Sequence, residues 1–321
     1  MEVRPPPGSS VNILISRLSA LGDCVCTLPV AVALKKAFPE SKITWAVDPR
    51  FAGIIECCPS VDEIIRVKPG FKPATWPTFD VKFDLALDMQ GLTKSGIVVA
   101  RSKATRKLGY HWQRELAKLF SSPVQPDASS LHVVDQYVDV ARFAGADCDR
   151  ADFGVVPPDE DRTKMKDLLE ENGVTGPFVV MNAGAGWATK RWPASHFAAL
   201  ADKLVAKGLK CVFIGGKADA DQAAFAEVAS ATQTPLVNLL GKTSVRELVS
   251  LISLANAHVG GDTGSSHVAA ALGVPAIGLY SITKPVRTCP YGQIHRCHYS
   301  ETSLADIDPD AVFQTVWEAV A

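Results

Sequence analysis

Three short stretches place residues capable of chemistry beside glycines and hydroxyls that could bring a substrate to them. One is "GDTGSSHVAAALGVPAIGLYS" (261–281), where Asp262, Thr263, Gly264, two serines and His267 lie between an apolar run and a helical pattern. Free N–H groups at a helix N-terminus bind anions directly, so this lip could seat a phosphate, with Asp262 placed for sugar hydroxyls. Gly264 can take positive φ there, and Ser265 or Ser266 can cap the helix. A tight turn with a good N-cap accounts for the same residues without a ligand.

The second stretch is "NAGAGWATKRWPASHF" (182–197). Gly184 and Gly186 form a permissive loop, and Thr189, Lys190 and Arg191 supply a hydroxyl and two cations, which together suit a diphosphate. A plain loop is the competing reading. It is not a dinucleotide fingerprint, because Thr189 stands where G-x-G-x-x-G needs its third glycine. The third stretch is "SRLSALGDCVCTLP" (16–29), in which Gly22 and Asp23 precede a helical pattern. Asp23 could serve the helix N-terminus, or it could be a carboxylate facing a ligand beside a glycine that allows close approach.

Other motifs fail on spacing. "LGKTS" (240–244) has Leu236 where a P-loop needs its first glycine. Ser266 and His267 are neighbours, which on a helix point about 100° apart and make a poor nucleophile–base pair. The eight cysteines show no zinc-site spacing and read as reduced, mostly buried thiols; no metal site and no cofactor is expected.

The elements that must carry these stretches alternate between strand and helix. Apolar runs at 11–17, 42–48, 62–67 and 83–89 read as strands, with helices at 27–38, 92–102 and 131–145. Pro29 then falls in the first turn of its helix, where it is tolerated. After the polar, proline-bearing segment 146–161 the alternation restarts. Strands are expected at 177–183, 210–216, 257–262 and 276–281, and helices at 195–208, 218–231, 244–257 and 265–273. Such alternation predicts α/β architecture, with parallel sheets covered by helices and ligands outside the carboxyl ends of the strands. All three stretches follow a strand. The boundaries expected are a leader over 1–10, one domain over 11–158, a second over 159–308, and a helix over 309–321 packing back across both.

Bulk properties agree with a globular protein. The chain has 321 residues, 47% of them apolar, and 33 basic against 34 acidic side chains, which gives no global attraction to nucleic acid. No run approaches the ~18 apolar residues of a membrane span.

Taken in order, four blocks resemble the family-9 glycosyltransferases, the bacterial heptosyltransferases of the lipopolysaccharide inner core. "ILISRLSALGDCVCTLPVAVALKKAFP" is similar to the family's first strand, S-x-x-G-D loop and helix, and "DMQGLTKSG" (88–96) to its D-x-Q-G-L-x-K-S segment. "TKRWPASHF" resembles its K-x-W-P stretch, and "DTGSSHVAAALGVPAIGLYSITKP" its D-T-G-x-S-H signature. The resemblance covers nearly the whole chain after the first ten residues or so.

It implies a GT-B fold of two Rossmann-like domains, with acceptor on the first and nucleotide-sugar on the second. It also implies metal-independent, inverting transfer of heptose from ADP-L-glycero-D-manno-heptose. Asp23 would be the general base. Lys190, Thr189, Ser265 and the Thr263–Gly264 turn would hold the donor diphosphate, with Gly184 and Gly186 in the phosphate loop. Asp262 and His267 would lie close to the sugar and phosphates. Gln90 and Lys94 would contact the acceptor.

The run "RSKATRKLGYHWQRELAK" (101–118) carries Arg101, Arg106, Lys107 and Arg114. It reads either as a solvated helix face or as a basic wall for the Kdo carboxylates and phosphates of a lipid A acceptor. The second reading brings weak association of a cytoplasmic protein with the inner membrane surface. Two departures stand out. "GAGWA" replaces threonines common in the family, and "GGKADAD" (215–221) offers Asp219 or Asp221 instead of a ribose-binding glutamate. The alternatives are a GT-B enzyme with another donor or surface-glycan acceptor, and a nucleotide-binding relative without catalysis.

Overall fold

A computed structural model describes residues 11–68, 70, 75–149, 151–184 and 191–321. The expected leader over 1–10, and Gly186, Thr189 and Lys190 of the expected phosphate loop, lie outside the described residues. The chain divides into two compact units, Met1–Val156 and Pro157–Ala321.

The first unit holds strands β1 (Asn12–Ser16), β2 (Lys42–Val47), β3 (Glu63–Arg66), β4 (Leu85–Asp88), β5 (Arg106–Tyr110) and β6 (Ser122–Val124). Its helices are α1 (Leu21–Ala37), α2 (Ala52–Glu56), α3 (Thr93–Arg101) and α4 (Val133–Ala144). The sheet is parallel, in the order β3-β2-β1-β4-β5-β6. β1 and β4 are built from apolar residues because helices cover both faces of a parallel sheet; Ile13, Leu14, Ile15, Ala86 and Leu87 are wholly buried.

The second unit opens with α5 (Asp159–Glu171) and continues through β7 (Phe178–Asn182), α6 (Ala194–Ala206), β8 (Lys210–Phe213), α7 (Asp219–Ser230) and β9 (Val237–Asn238). It ends with α8 (Val245–Ser253), β10 (Ala257–Gly260), α9 (Gly264–Ala271), β11 (Ala276–Tyr280), α10 (Pro285–Thr288), β12 (Cys297–Tyr299) and α11 (Pro309–Val320). Its sheet is also parallel, ordered β12-β11-β10-β7-β8-β9. In both sheets the unit's first strand lies beside its fourth, so the winding reverses between β1 and β4 and again between β7 and β10. Ligands of open α/β sheets bind outside the carboxyl ends of strands at such reversals. α11 packs on α6 and on the sheet of its own unit, where Val312 and Val316 are wholly buried.

Several expectations are corrected. α1 starts at Leu21, six residues before the expected Thr27, so Gly22 and Asp23 lie inside the helix and Pro29 sits in its interior. Part of the basic run forms β5, which the density of charge concealed. Beyond the strands expected from the sequence, β12 pairs with β11, and His298 Nε2 meets Thr315 Oγ1 at 2.9 Å. Among the described residues no helix is long and apolar enough to cross a membrane.

Candidate functional site

At the β1–β4 reversal the chain leaves β1 with Arg17, a residue only 4% exposed. Arg17 Nη2 lies 2.5 Å from Asp23 Oδ1, Nη1 donates to the Met89 carbonyl, and the guanidinium stands 5.3 Å from the Tyr137 ring centre. Burial by itself would lower the arginine's pKa. Tyr137 and Asp23 more than offset this, so the net direction is upward and Arg17 remains a cation. Asp23 occupies the third position of α1, where its Oδ2 accepts the Ala20 N–H at 3.2 Å, and its side chain is 49% exposed. A carboxylate is thereby fixed in direction from beneath and open to solvent above.

Gln90 and Lys94 converge on the same end of the sheet. Gln90 Oε1 accepts the Leu18 N–H at 3.0 Å, while Gln90 Nε2 and Lys94 Nζ donate to Ser19 Oγ at 3.2 and 3.3 Å. Beneath them Asp88 Oδ1 accepts the N–H groups of Gln90 (3.1 Å) and Gly91 (2.9 Å), and burial raises the Asp88 carboxyl pKa. Gly91 has φ +68°, and a Cβ there would stand 2.5 Å from the Trp112 carbonyl oxygen. Gly91→Ala is expected to destabilise the first unit by about 2–3 kcal/mol, from left-handed strain plus a backbone clash. Urea unfolding would measure this; a loss below about 0.5 kcal/mol would contradict it.

The expected basic wall is divided. Arg114 lies near Gly91, its N–H donating to the Gly91 carbonyl at 2.8 Å. Arg106 and Lys107 open β5, and Arg101 closes α3, which runs back from the site. These three therefore occupy the opposite, amino end of the sheet. Arg101 donates to the Pro77 carbonyl, and Arg106 to the Phe143 carbonyl over the Phe143 ring. At ~3.3 Å per strand residue and ~1.5 Å per helix residue, they stand roughly 10 Å or more from the residues around Asp23. Only Gln90, Lys94 and Arg114 of the expected acceptor residues are brought toward it.

At the β7–β10 reversal a second set of polar groups gathers. Asn182 ends β7, and its Nδ2 lies 3.0 Å from Ser265 Oγ while its Oδ1 accepts the Gly184 N–H at 3.1 Å. Thr263 Oγ1 stands 3.0 Å from Ser265 Oγ, and the wholly buried His258 reaches Ser265 with Nε2 at 2.9 Å. Burial, helped by the charge of His267, holds the His258 pKa down at about 3, so the imidazole is neutral at pH 7. Asp262 and Thr263 are half-buried, and His267 Nε2 lies 3.9 Å from Asp262 Oδ1, a separation longer than a hydrogen bond. Asp262 also lines a hollow with Leu279, Tyr280, Ser281, Ile282, Thr283 and Leu304.

Two expectations for this lip change. Gly264 does not take positive φ; it is the first residue of α9. The N-cap is Thr263, with extended backbone (φ −133°, ψ 160°) and no capping bond from its hydroxyl. Ser265 and Ser266 turn inward instead, Ser266 Oγ donating to the Gly261 carbonyl at 2.8 Å. Asp221, a candidate for ribose contact, has Oδ2 on the Gly216 N–H at 2.7 Å. A Cβ on Gly184 would stand 2.6 Å from Asp221 Oδ1, so glycine there leaves room for this carboxylate.

The residues missed were Arg17, Asn182 and His258. The signal for Asn182 was available, since it ends a strand. A lone arginine leaving a strand and a histidine inside an apolar run carry no pattern that distinguishes them from ordinary positions.

Comparison with known proteins gives a consistent result. The model of glycosyltransferase family 9 (heptosyltransferase) matches residues 79–311. The chain is 28% identical over 325 residues to lipopolysaccharide heptosyltransferase 1 of Salmonella typhimurium, covering 94% of this chain and 99% of that protein. A family-9 glycosyl transferase structure from Veillonella parvula superposes with TM-score 0.85 at 23% identity, over 100% of this chain and 98% of the other. The E. coli heptosyltransferase WaaC with ADP superposes with TM-score 0.78 at 25% identity, over 96% of this chain and 99% of the other.

Proposed function

Because this chain belongs to glycosyltransferase family 9, the heptosyltransferase family, we propose that it transfers heptose from ADP-L-glycero-D-manno-heptose to the Kdo/heptose inner core of lipopolysaccharide. Transfer proceeds with inversion and without a metal. The observation that carries the catalytic part is the half-exposed Asp23 carboxylate, fixed by buried Arg17 at the β1–β4 reversal. As the acceptor oxygen attacks the anomeric carbon, Asp23 takes its proton, and the bond from that carbon to the diphosphate breaks to release ADP. Gln90, Lys94 and Arg114 hold the acceptor's anionic groups near the same strand ends.

The donor belongs to the second unit. There the free N–H groups opening α9, the Thr263 hydroxyl and Lys190 stabilise charge growing on the leaving diphosphate. Asp262 and His267 lie close to the sugar and phosphates. Support for ADP as the nucleotide comes from the relative whose structure contains it. The protein works at the cytoplasmic face of the inner membrane, in weak contact with it.

A thermal-shift panel of ADP, UDP, GDP, CDP and ADP-heptose tests the donor. ADP and ADP-heptose, each at 100 times its dissociation constant, are expected to add about 2.7 kcal/mol of stability. Preference for UDP would move the enzyme to another donor class. Transfer to a Kdo-lipid A acceptor is expected to continue in EDTA at a rate within about twofold; abolition by EDTA would show that a metal acts on the diphosphate.

A further inference from the structure

The polar groups behind Thr263 form a chain whose direction follows from counting protons, and its origin is the buried His258. Asn182 is oriented first. Its Oδ1 meets the Gly184 N–H, which can only donate, so the end facing Ser265 is Nδ2 and donates to Ser265 Oγ. His258 Nδ1 is buried with no hydrogen-bond partner among the described residues. A bare ring nitrogen tolerates this better than an N–H left without an acceptor. The proton therefore sits on Nε2, which donates to Ser265 Oγ at 2.9 Å.

With both lone pairs of Ser265 Oγ occupied, its single hydrogen has to leave toward Thr263 Oγ1, 3.0 Å away. Thr263 Oγ1 then accepts, and its own hydrogen is free to donate. It is not used in capping α9, and among the described residues its one remaining acceptor in reach is Ser266 Oγ at 3.4 Å, a long contact. Ser265 and His258 are buried, whereas Thr263 is half-buried, as is Asn182, so Thr263 is the hydroxyl of the chain that lies nearer the surface. Gly260 makes space for the arrangement, since a Cβ there would stand 3.0 Å from His258 Cε1 and 3.3 Å from Asn182 Cβ.

We propose that His258 is a positioning residue: through Ser265 it orders the Thr263 hydroxyl as an outward hydrogen-bond donor to the diphosphate oxygens of the donor substrate. His258 itself touches no substrate. The inference rests on the reading that the α9 N-terminus receives the donor diphosphate. An ordered hydroxyl favours an anion over a neutral ligand and needs no reorganisation when the anion arrives.

The experiment is ADP binding by calorimetry, alongside transfer kinetics, for wild type, His258→Leu, His258→Gln and Ser265→Ala. Leucine removes the donor to Ser265, so its hydrogen is released from Thr263 and the order is lost. His258→Leu is expected to weaken ADP binding and raise the donor KM by about tenfold, with a smaller change in kcat, as for loss of one hydrogen bond to a charged group. Glutamine restores an N–H donor and should recover most of the affinity. Ser265→Ala should match the leucine variant, and the double variant should be little worse than either, because both cut the same chain. Circular dichroism and the unfolding midpoint confirm that each variant is folded. If His258→Leu binds ADP within twofold of wild type, or if glutamine fails to rescue, the positioning role is overturned while the donor reading stands. If wild type itself does not bind ADP, both fall.

Discussion

Asp23→Asn lowers the transfer rate by about 10²–10⁴, the range for removal of a general base. Asparagine keeps the shape of the side chain and can still accept the Ala20 N–H, but it cannot take the acceptor's proton. With the donor on the second unit, as proposed, ADP affinity is expected to stay within about threefold, and the loss should appear in kcat. Single-turnover transfer of heptose to a Kdo-lipid A acceptor measures the chemical step directly. A rate within about threefold of wild type would remove Asp23 from the role of base and leave it a helix-terminal residue paired with Arg17.

Trp192→Ala is expected to destabilise the second unit by about 3–5 kcal/mol, as for other buried aromatic truncations. The ring is 4% exposed, packs edge-on to Phe197 at 4.9 Å, and donates Nε1–H to the Ile307 carbonyl at 3.0 Å. Truncation opens a cavity and leaves that carbonyl without its donor. At roughly 2–4 °C per kcal/mol for a unit of this size, the melting temperature should fall by about 6–20 °C. Trp192→Phe fills most of the space, and the deficit that remains reports the lost hydrogen bond. A fall below about 3 °C for the alanine variant would mean that the tryptophan is not an anchor of this core. The residue also follows directly on "ATKR", which carries the proposed diphosphate lysine, so the K-x-W-P stretch joins a ligand residue to a packing residue.

Much of this arrangement is readable in the chain. Apolar runs separated by helical spacing announced parallel sheets, and the rule that ligands sit after strands pointed to Asp23, to the loop beyond Asn182 and to Asp262. Failures have identifiable causes. α1 begins six residues earlier than its apolar pattern because Gly22 and Asp23 form its first turn, and a glycine followed by an aspartate reads as a loop. β5 was concealed because Arg106 and Lys107 begin it, and only Leu108, Gly109 and Tyr110 are buried. Arg17 and His258 owe their proposed roles to Asp23 and Ser265, six and seven residues further along across a strand-to-helix turn, and neither helical nor strand periodicity announces such a pair. The strand pairings of β12 with β11 and of β9 with β8 involve three and two residues, too few for any periodicity to show.

Catalytic side chains are commonly a burden on folding, and deleting them often makes a protein sturdier. Asp23 departs from that pattern. The carboxylate that would take the acceptor's proton also closes the first turn of α1 and neutralises an almost wholly buried arginine. A descendant that abandoned turnover would gain no robustness by discarding this aspartate and would leave Arg17 buried without its counter-ion. Drift should therefore preserve the residue in inactive branches for reasons of upkeep. An aspartate at this position in a relative testifies to an intact first domain, and activity there has to be judged from residues whose loss the fold would not notice.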